Sequence, residues 1–99
     1  MTIQKKQNGT NLTIALEGRL DTTTAPQLEK ELCTAMTGIS ELVFDLEKLA
    51  YISSAGLRVL LSAQKTMNKQ GEMEIHNVKP EIMEIFEVTG FVDILTIVE

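Results

Sequence analysis

Residues 42–61 read LVFDLEKLAYISSAGLRVLL. Leu42, Phe44 and Leu46 alternate with Val43 and Asp45, the two-residue period of a strand with one face buried. From Leu57 the spacing changes. Leu57, Leu60, Leu61 and Met67 recur at helical intervals and fall on one side of a helix. Ser53 and Ser54 stand between the two periods. A serine before a helix is ordinarily its N-cap, because its side-chain oxygen accepts a hydrogen bond from an orphan N–H of the first turn, at a benefit of about 1 kcal/mol. Only one residue can occupy that position. With Ser53 as the cap, Ser54 becomes the first helical residue with its hydroxyl toward solvent. Ala55 and Gly56 then keep the surrounding surface low, so the helix start is open to another protein.

The pattern extends in both directions. Upstream, Asn8-Gly9 is a hairpin signal, since both residues tolerate positive φ. It joins a polar edge strand around Ile3–Lys6 to a strand in which Leu12, Ile14 and Leu16 alternate with Thr13 and Ala15. Thr24 and Gln27 are spaced as a capping box. Pro26 is tolerated in a first turn, Ala25, Leu28, Leu32 and Ala35 form an apolar stripe, and Gly38 is a stop signal. Downstream, Lys65 and Lys69 suit the C-terminal end of the second helix, and Gly71 closes it. Glu72–His76 reads as a strand with Met73 and Ile75 inward. Pro80 opens a third helix with Ile82, Met83, Ile85 and Phe86 on its apolar face, ended by Gly90. Ile94, Thr96 and Val98 alternate as a last strand. The order β-β-α-β-α-β-α-β predicts an α/β fold with a single mixed β-sheet and packed helices. Strand–helix–strand units cross over right-handed, so the later strands run parallel and the opening hairpin adds an antiparallel edge. Residues 1–99 form one domain.

Composition narrows the function. The net charge is −5 with 9 basic against 14 acidic residues, and no Lys/Arg cluster supplies the footprint for a phosphate backbone or an anionic membrane. Direct nucleic-acid binding and membrane insertion are therefore disfavoured and a protein partner favoured. Cys33 is the only cysteine, which excludes an intramolecular disulfide and suits a reducing compartment. The first residues carry no apolar run behind Lys5-Lys6 and no stretch reaches membrane-span length. The expectation is a cytoplasmic protein.

Enzyme chemistry finds little support. A hydrolytic serine commonly sits in Gly-x-Ser-x-Gly with an acid and a histidine elsewhere, and Ser54 lacks the glycine two positions before it. His76 is the one histidine and reads as an outward-facing strand residue. Metal ligation needs a cluster that one His and one Cys do not make, and no phosphate-binding P-loop motif is present. Asp45 and Glu47 read as solvated carboxylates, and Cys33 as a small packing or boundary residue. The expectation is a non-enzymatic protein with no cofactor and no metal. What remains is the serine pair. Phosphorylation would place about −1.5 to −2 charges at the helix start, where the helix tolerates them and a docked partner does not. A differential penalty of ~3 kcal/mol weakens association about a hundredfold.

The segment Leu49-Ala-Tyr-Ile-Ser-Ser-Ala-Gly-Leu-Arg-Val-Leu-Leu resembles the phosphorylation loop of STAS domains, the family of bacterial anti-sigma factor antagonists. Gly18-Arg-Leu-Asp21 is similar to a second family element, Leu42-Val-Phe-Asp-Leu to the strand before the loop, and Gly90-Phe91 to a late helix-to-strand turn. The resemblance implies partner switching. An unphosphorylated antagonist binds an anti-sigma factor that is itself a serine kinase and frees a sigma factor for transcription. Phosphorylation by that kinase releases the antagonist, and a serine phosphatase resets it. Carried onto this chain, the phosphoacceptor is Ser54, with Ser53 the alternative. Asp21 lies near it, and the partner-binding surface comprises Asp21, Tyr51, Ile52, Ser53, Ser54, Ala55, Gly56, Leu57 and Arg58. Many antagonists have aspartate where this chain has Ser53. STAS domains also serve, unphosphorylated, as interaction modules of anion transporters and as accessory subunits of lipid-transport ABC systems, which is the alternative function.

Overall fold

The structure, a computed structural model, describes residues 1–98. Strands β1 (Thr2–Asn8) and β2 (Asn11–Leu20) lead to α1 (Ala25–Ala35), β3 (Glu41–Ile52), α2 (Ser54–Gln70), β4 (Glu72–His76), α3 (Pro80–Thr89), a 3-10 turn (Phe91–Asp93) and β5 (Ile97–Val98). The five strands lie in the order β1-β2-β3-β4-β5. β1 is antiparallel to β2, through a turn with Gly9 at φ +65°, and the remaining pairs are parallel.

Each crossover moves one strand along the sheet in the same direction. Right-handed crossovers that never reverse place all their helices on one face, and burial follows that rule. Leu12, Ile14, Leu16, Leu42, Phe44, Leu46, Met73 and Ile75 are at most 2% exposed, and they share one core with Leu28 and Leu32 of α1, Leu60 and Met67 of α2, and Ile82 and Phe86 of α3. Their neighbours Thr13, Ala15, Val43, Asp45, Glu74 and His76 are only half-buried. The molecule is a two-layer α/β sandwich with one sheet face open.

β3 runs six residues beyond the Leu46 at which the alternation stops, reaching Ile52. Its pairing with β2 goes from Ala15↔Asp45 to Glu17↔Lys48, and from Gly18↔Leu49 to Arg19↔Tyr51. At each step β3 advances one residue more than β2, which is a β-bulge. The bulges stretch the inward spacing from two to three, so that Leu46, Leu49 and Ile52 all face the core. They carry the strand to the threshold of α2.

Three expectations are corrected. Thr24 does not cap α1 with its side chain; its hydroxyl donates to Arg19 O at 2.8 Å and accepts from Asp21 N at 2.8 Å, so no capping box forms with Gln27. The last strand does not span Ile94 to Val98. The 3-10 turn consumes the chain as far as Ile94, whose N–H bonds Phe91 O at 3.0 Å, leaving Ile94 exposed, Leu95 buried and only Ile97–Val98 paired with β4. Of the two readings of Cys33, packing or boundary residue, packing is the one corrected, because Cys33 is exposed on α1.

Candidate functional site

At its far end β3 hands the chain to α2 through a short, tightly tied junction. Ser53 N–H donates to Leu20 O at 2.9 Å, so the junction is stitched to the end of β2. Ser53 is extended, with φ −99° and ψ 175°, and its Oγ accepts from Gly56 N. That bond is long at 3.4 Å, but the geometry is that of an N-cap, and Ser53 O receives Leu57 N–H at 2.9 Å to begin the helical ladder. Gly56 is buried against β2 and β3. A Cβ there would lie 2.7 Å from Leu20 Cγ and 2.9 Å from Ile52 Cγ1. Only a residue without a side chain lets the first turn of α2 settle this close.

Seating the turn so deeply divides the loop into two sides. Ile52, Gly56 and Leu57 face the core, with Ile52 at 2% and Leu57 at 5% exposure. They lie beneath the exposed residues of the loop, where Ile52 and Leu57 show little side-chain surface and Gly56 has no side chain to present. Ser54 and Arg58 are exposed, and Ala55 and Ser53 are half-buried. Among the described residues no hydrogen bond engages the Ser54 hydroxyl, whereas Ser53 Oγ is occupied by its cap bond. Arg58 pairs with no carboxylate among the described residues.

The loop between β2 and α1 completes the site. Asp21 Oδ1 accepts from Thr23 Oγ1 at 2.7 Å, Thr23 N at 3.0 Å and Thr24 N at 3.1 Å. The Thr23 hydroxyl leads in holding the Asp21 carboxyl down at about 2, against a partial desolvation that raises it, and the Thr23 and Thr24 backbone N–H groups and the Thr24 hydroxyl also lower it. Each donor favours the charged form, so Asp21 is a fixed anion at neutral pH. Arg19 faces Tyr51 across the β2–β3 pair. Its guanidinium sits 4.4 Å from the Tyr51 ring centroid, and its Nε lies 3.7 Å from Asp21 Oδ2. A stacked cation of this kind contributes about 0.5–1 kcal/mol when exposed. Between α1 and α2 a groove of about 350 Å³ opens beside the helix start, lined in part by Thr22, Ala25, Pro26, Ala55 and Arg58.

Asp21, Tyr51, Ser53, Ser54, Ala55 and Arg58 are thus gathered around one helix start by two adjacent strand ends. Arg19 and Thr23 join them although sequence spacing did not single them out, and Thr24, expected as a helix cap, joins them through its bonds to Asp21. Arg19 could be placed only by knowing that it stands opposite Tyr51, and the bulges in β3 hide that register. His76 is elsewhere. It lies beside Asp45 on the open sheet face, where its Nε2 is 2.9 Å from Glu74 Oε1, and no hydrogen bond links it to Ser54. Asp45 Oδ1 accepts from Glu47 N and from Asn77 Nδ2, both at 3.0 Å, a structural role at the first bulge. Among the described residues no three His, Cys, Asp or Glu side chains come together as metal ligands, and no helix is long and apolar enough to cross a membrane.

Known proteins share this arrangement of chain. Residues 2–99 match the family described as STAS domain. A protein of Bordetella bronchiseptica provisionally called an anti-sigma factor antagonist, BtrV, is 41% identical over 88 residues, which span 87% of this chain and 76% of its own length. The anti-sigma-B factor antagonist of Bacillus subtilis is 28% identical over 98 residues, 98% of this chain and 90% of its own. Among solved structures, the anti-sigma factor antagonist SpoIIAA superposes in its unphosphorylated form with a TM-score of 0.78 at 18% identity, covering 99% of this chain and 88% of that one. Bacillus SpoIIAA in its phosphorylated form gives 0.77 at 19% identity, covering 99% and 92%. Identities this low concern the fold alone. By the match along nearly its whole length, the chain belongs to the STAS domain family.

Proposed function

We propose that this protein is an anti-sigma factor antagonist whose binding is switched off by phosphorylation of Ser54. The observation that carries the reading is the division of labour between the two serines. Ser53 Oγ is held in the cap of α2, while the Ser54 hydroxyl stands exposed and uncommitted one residue on. The names of the relatives, anti-sigma factor antagonists, supply the kind of partner.

In the unphosphorylated state Tyr51, Ser54, Ala55, Arg58 and the Asp21 loop offer an anti-sigma factor a low surface beside the α1–α2 groove. Occupying the anti-sigma factor frees its sigma factor for transcription. The anti-sigma factor is also a serine kinase. Ser54 Oγ attacks the γ-phosphorus of its ATP, loses the hydroxyl proton and becomes a phosphomonoester as ADP departs. The new group carries about −1.5 to −2 charges at neutral pH. The N-terminal end of α2 accommodates that charge, so the antagonist keeps its fold. A partner seated on it must instead strip water from a near-dianion, and ~3 kcal/mol of such a penalty lowers affinity about a hundredfold. A serine phosphatase hydrolyses the ester and restores the hydroxyl. The chain acts by binding and performs no catalysis of its own.

The experiment is phosphorylation by an anti-sigma factor kinase encoded beside the gene, with ATP and the intact chain. One phosphate is expected on wild type and on Ser53→Ala, and none on Ser54→Ala. Modification that survives Ser54→Ala but is lost in Ser53→Ala moves the acceptor by one residue. No modification of wild type removes the switch and leaves a constitutive interaction module.

A further inference from the structure

Arg19 and Arg58 are the only arginines of a chain whose net charge is −5, and both flank the start of α2. Arg19 is committed to the Tyr51 ring and to Asp21. Arg58 is not. It is exposed and forms no ion pair among the described residues. It follows Ser54 by four positions within one continuous helix, so the two side chains neighbour each other on the same solvent-facing surface. A hydroxyl and a guanidinium without protein partners among the described residues thus stand one turn apart, close enough for an anion on one to reach the other.

We propose that Arg58 receives the phosphoryl group of phosphorylated Ser54 within the same chain. The inference rests on reading Ser54 as the phosphoacceptor. Guanidinium is suited to the task, because its planar fork donates two parallel hydrogen bonds to phosphate oxygens, whereas lysine offers a point charge. Three other charges stand around the helix start. Arg19 is already engaged, Asp21 is a fixed anion satisfied by its own threonines, and Glu29 lines the same groove as Arg58 without pairing to it. A near-dianion on the same helix turn draws Arg58 more strongly than the single carboxylate across the groove.

Phosphorylation then changes the surface twice. It adds negative charge, and it withdraws the one unpaired arginine, which in the unphosphorylated chain is free to meet a carboxylate of the partner. Arg58 also holds the phosphate over the first turn and favours its doubly ionised form. Arg58 acts here as a positioning residue for the phosphoryl group.

The test needs no kinase. Phosphoserine is installed at position 54 of the full chain during translation, and the phosphorus resonance is titrated through the second ionisation, near about pH 6. Arg58→Ala should raise that midpoint by about 0.2–0.4 pH unit relative to the Arg58 chain, Arg58→Lys should recover part of the difference, and Arg58→Glu should raise it further. The Arg58 Nε–H resonance should move and exchange more slowly with solvent on phosphorylation. Arg58 is exposed, so these substitutions leave the core intact. Equal midpoints with and without Arg58, or an Nε–H signal indifferent to phosphorylation, overturn the proposal while leaving the Ser54 switch standing. Failure of a kinase to modify Ser54 overturns the switch and leaves this titration unaffected.

Discussion

At the residue scale the site depends on small distances. Gly56 carries the clearest constraint. Gly56→Ala gains at most ~1 kcal/mol of helix propensity and incurs an overpacking cost of about 1–3 kcal/mol, because the new methyl meets Leu20 and Ile52 under 3.0 Å away. Urea denaturation should therefore show a net loss of stability, and any gain would mean the first turn of α2 is not pressed against the sheet. Asp21 makes a second prediction. Its folded pKa of about 2 lies below the ordinary 3.8, so its contribution is complete above pH 3.8 and disappears as pH falls through about 2. Thr23→Ala removes the leading cause. A carbon-detected titration should move the Asp21 midpoint up toward the ordinary value, and an unmoved midpoint would discard the Thr23 hydroxyl as the cause. Much of this was legible in the sequence. Ser53 as cap and Ser54 as exposed neighbour follow from cap chemistry and helical period. Thr24 misled, because Asp21 three positions earlier offers the backbone an Asx turn that takes the place of the capping box.

At the element scale the success of sequence reading tracks periodicity. β4 and α3 keep one period from end to end, and the alternation of Met73 and Ile75 and the spacing of Ile82 and Phe86 placed them correctly. β3 breaks period at Leu46. Two bulges restore burial for Leu49 and Ile52, and no alternation rule anticipates an inserted residue. β5 failed for a related reason. Gly90 at φ +80° turns the chain into a 3-10 helix that absorbs Phe91–Asp93 and leaves Leu95, not Ile94, facing the core. Another element boundary is set by contact alone. Gly71, between α2 and β4, would place a Cβ 1.8 Å from Ser40 O. The obstacle is backbone, which cannot swing aside as a side chain can. Gly71→Ala should thus destabilise the protein more than Gly56→Ala in parallel denaturation curves. The reverse order would show that the loop before β3 yields more readily than the core.

At the scale of the whole molecule, crossovers that never reverse put the helices on one side and line up the ends of β2 and β3. That alignment brings the Asp21 loop to the start of α2, so two segments far apart in sequence share one surface. It also makes the proposed switch local. The charge arrives on an exposed turn outside the core, so the backbone resonances of strands and helices should be nearly unchanged by phosphorylation, apart from those around residues 51–58 and 19–24. Widespread shifts through β4 and α3 would instead point to a conformational mechanism. The most direct measurement is the affinity of the purified chain for the proposed anti-sigma factor partner by calorimetry, with Ser54 free, phosphorylated, or replaced by alanine. The account predicts tight binding by the free and alanine forms and a loss of about a hundredfold on phosphorylation. Equal affinity for the free and phosphorylated chains would contradict it.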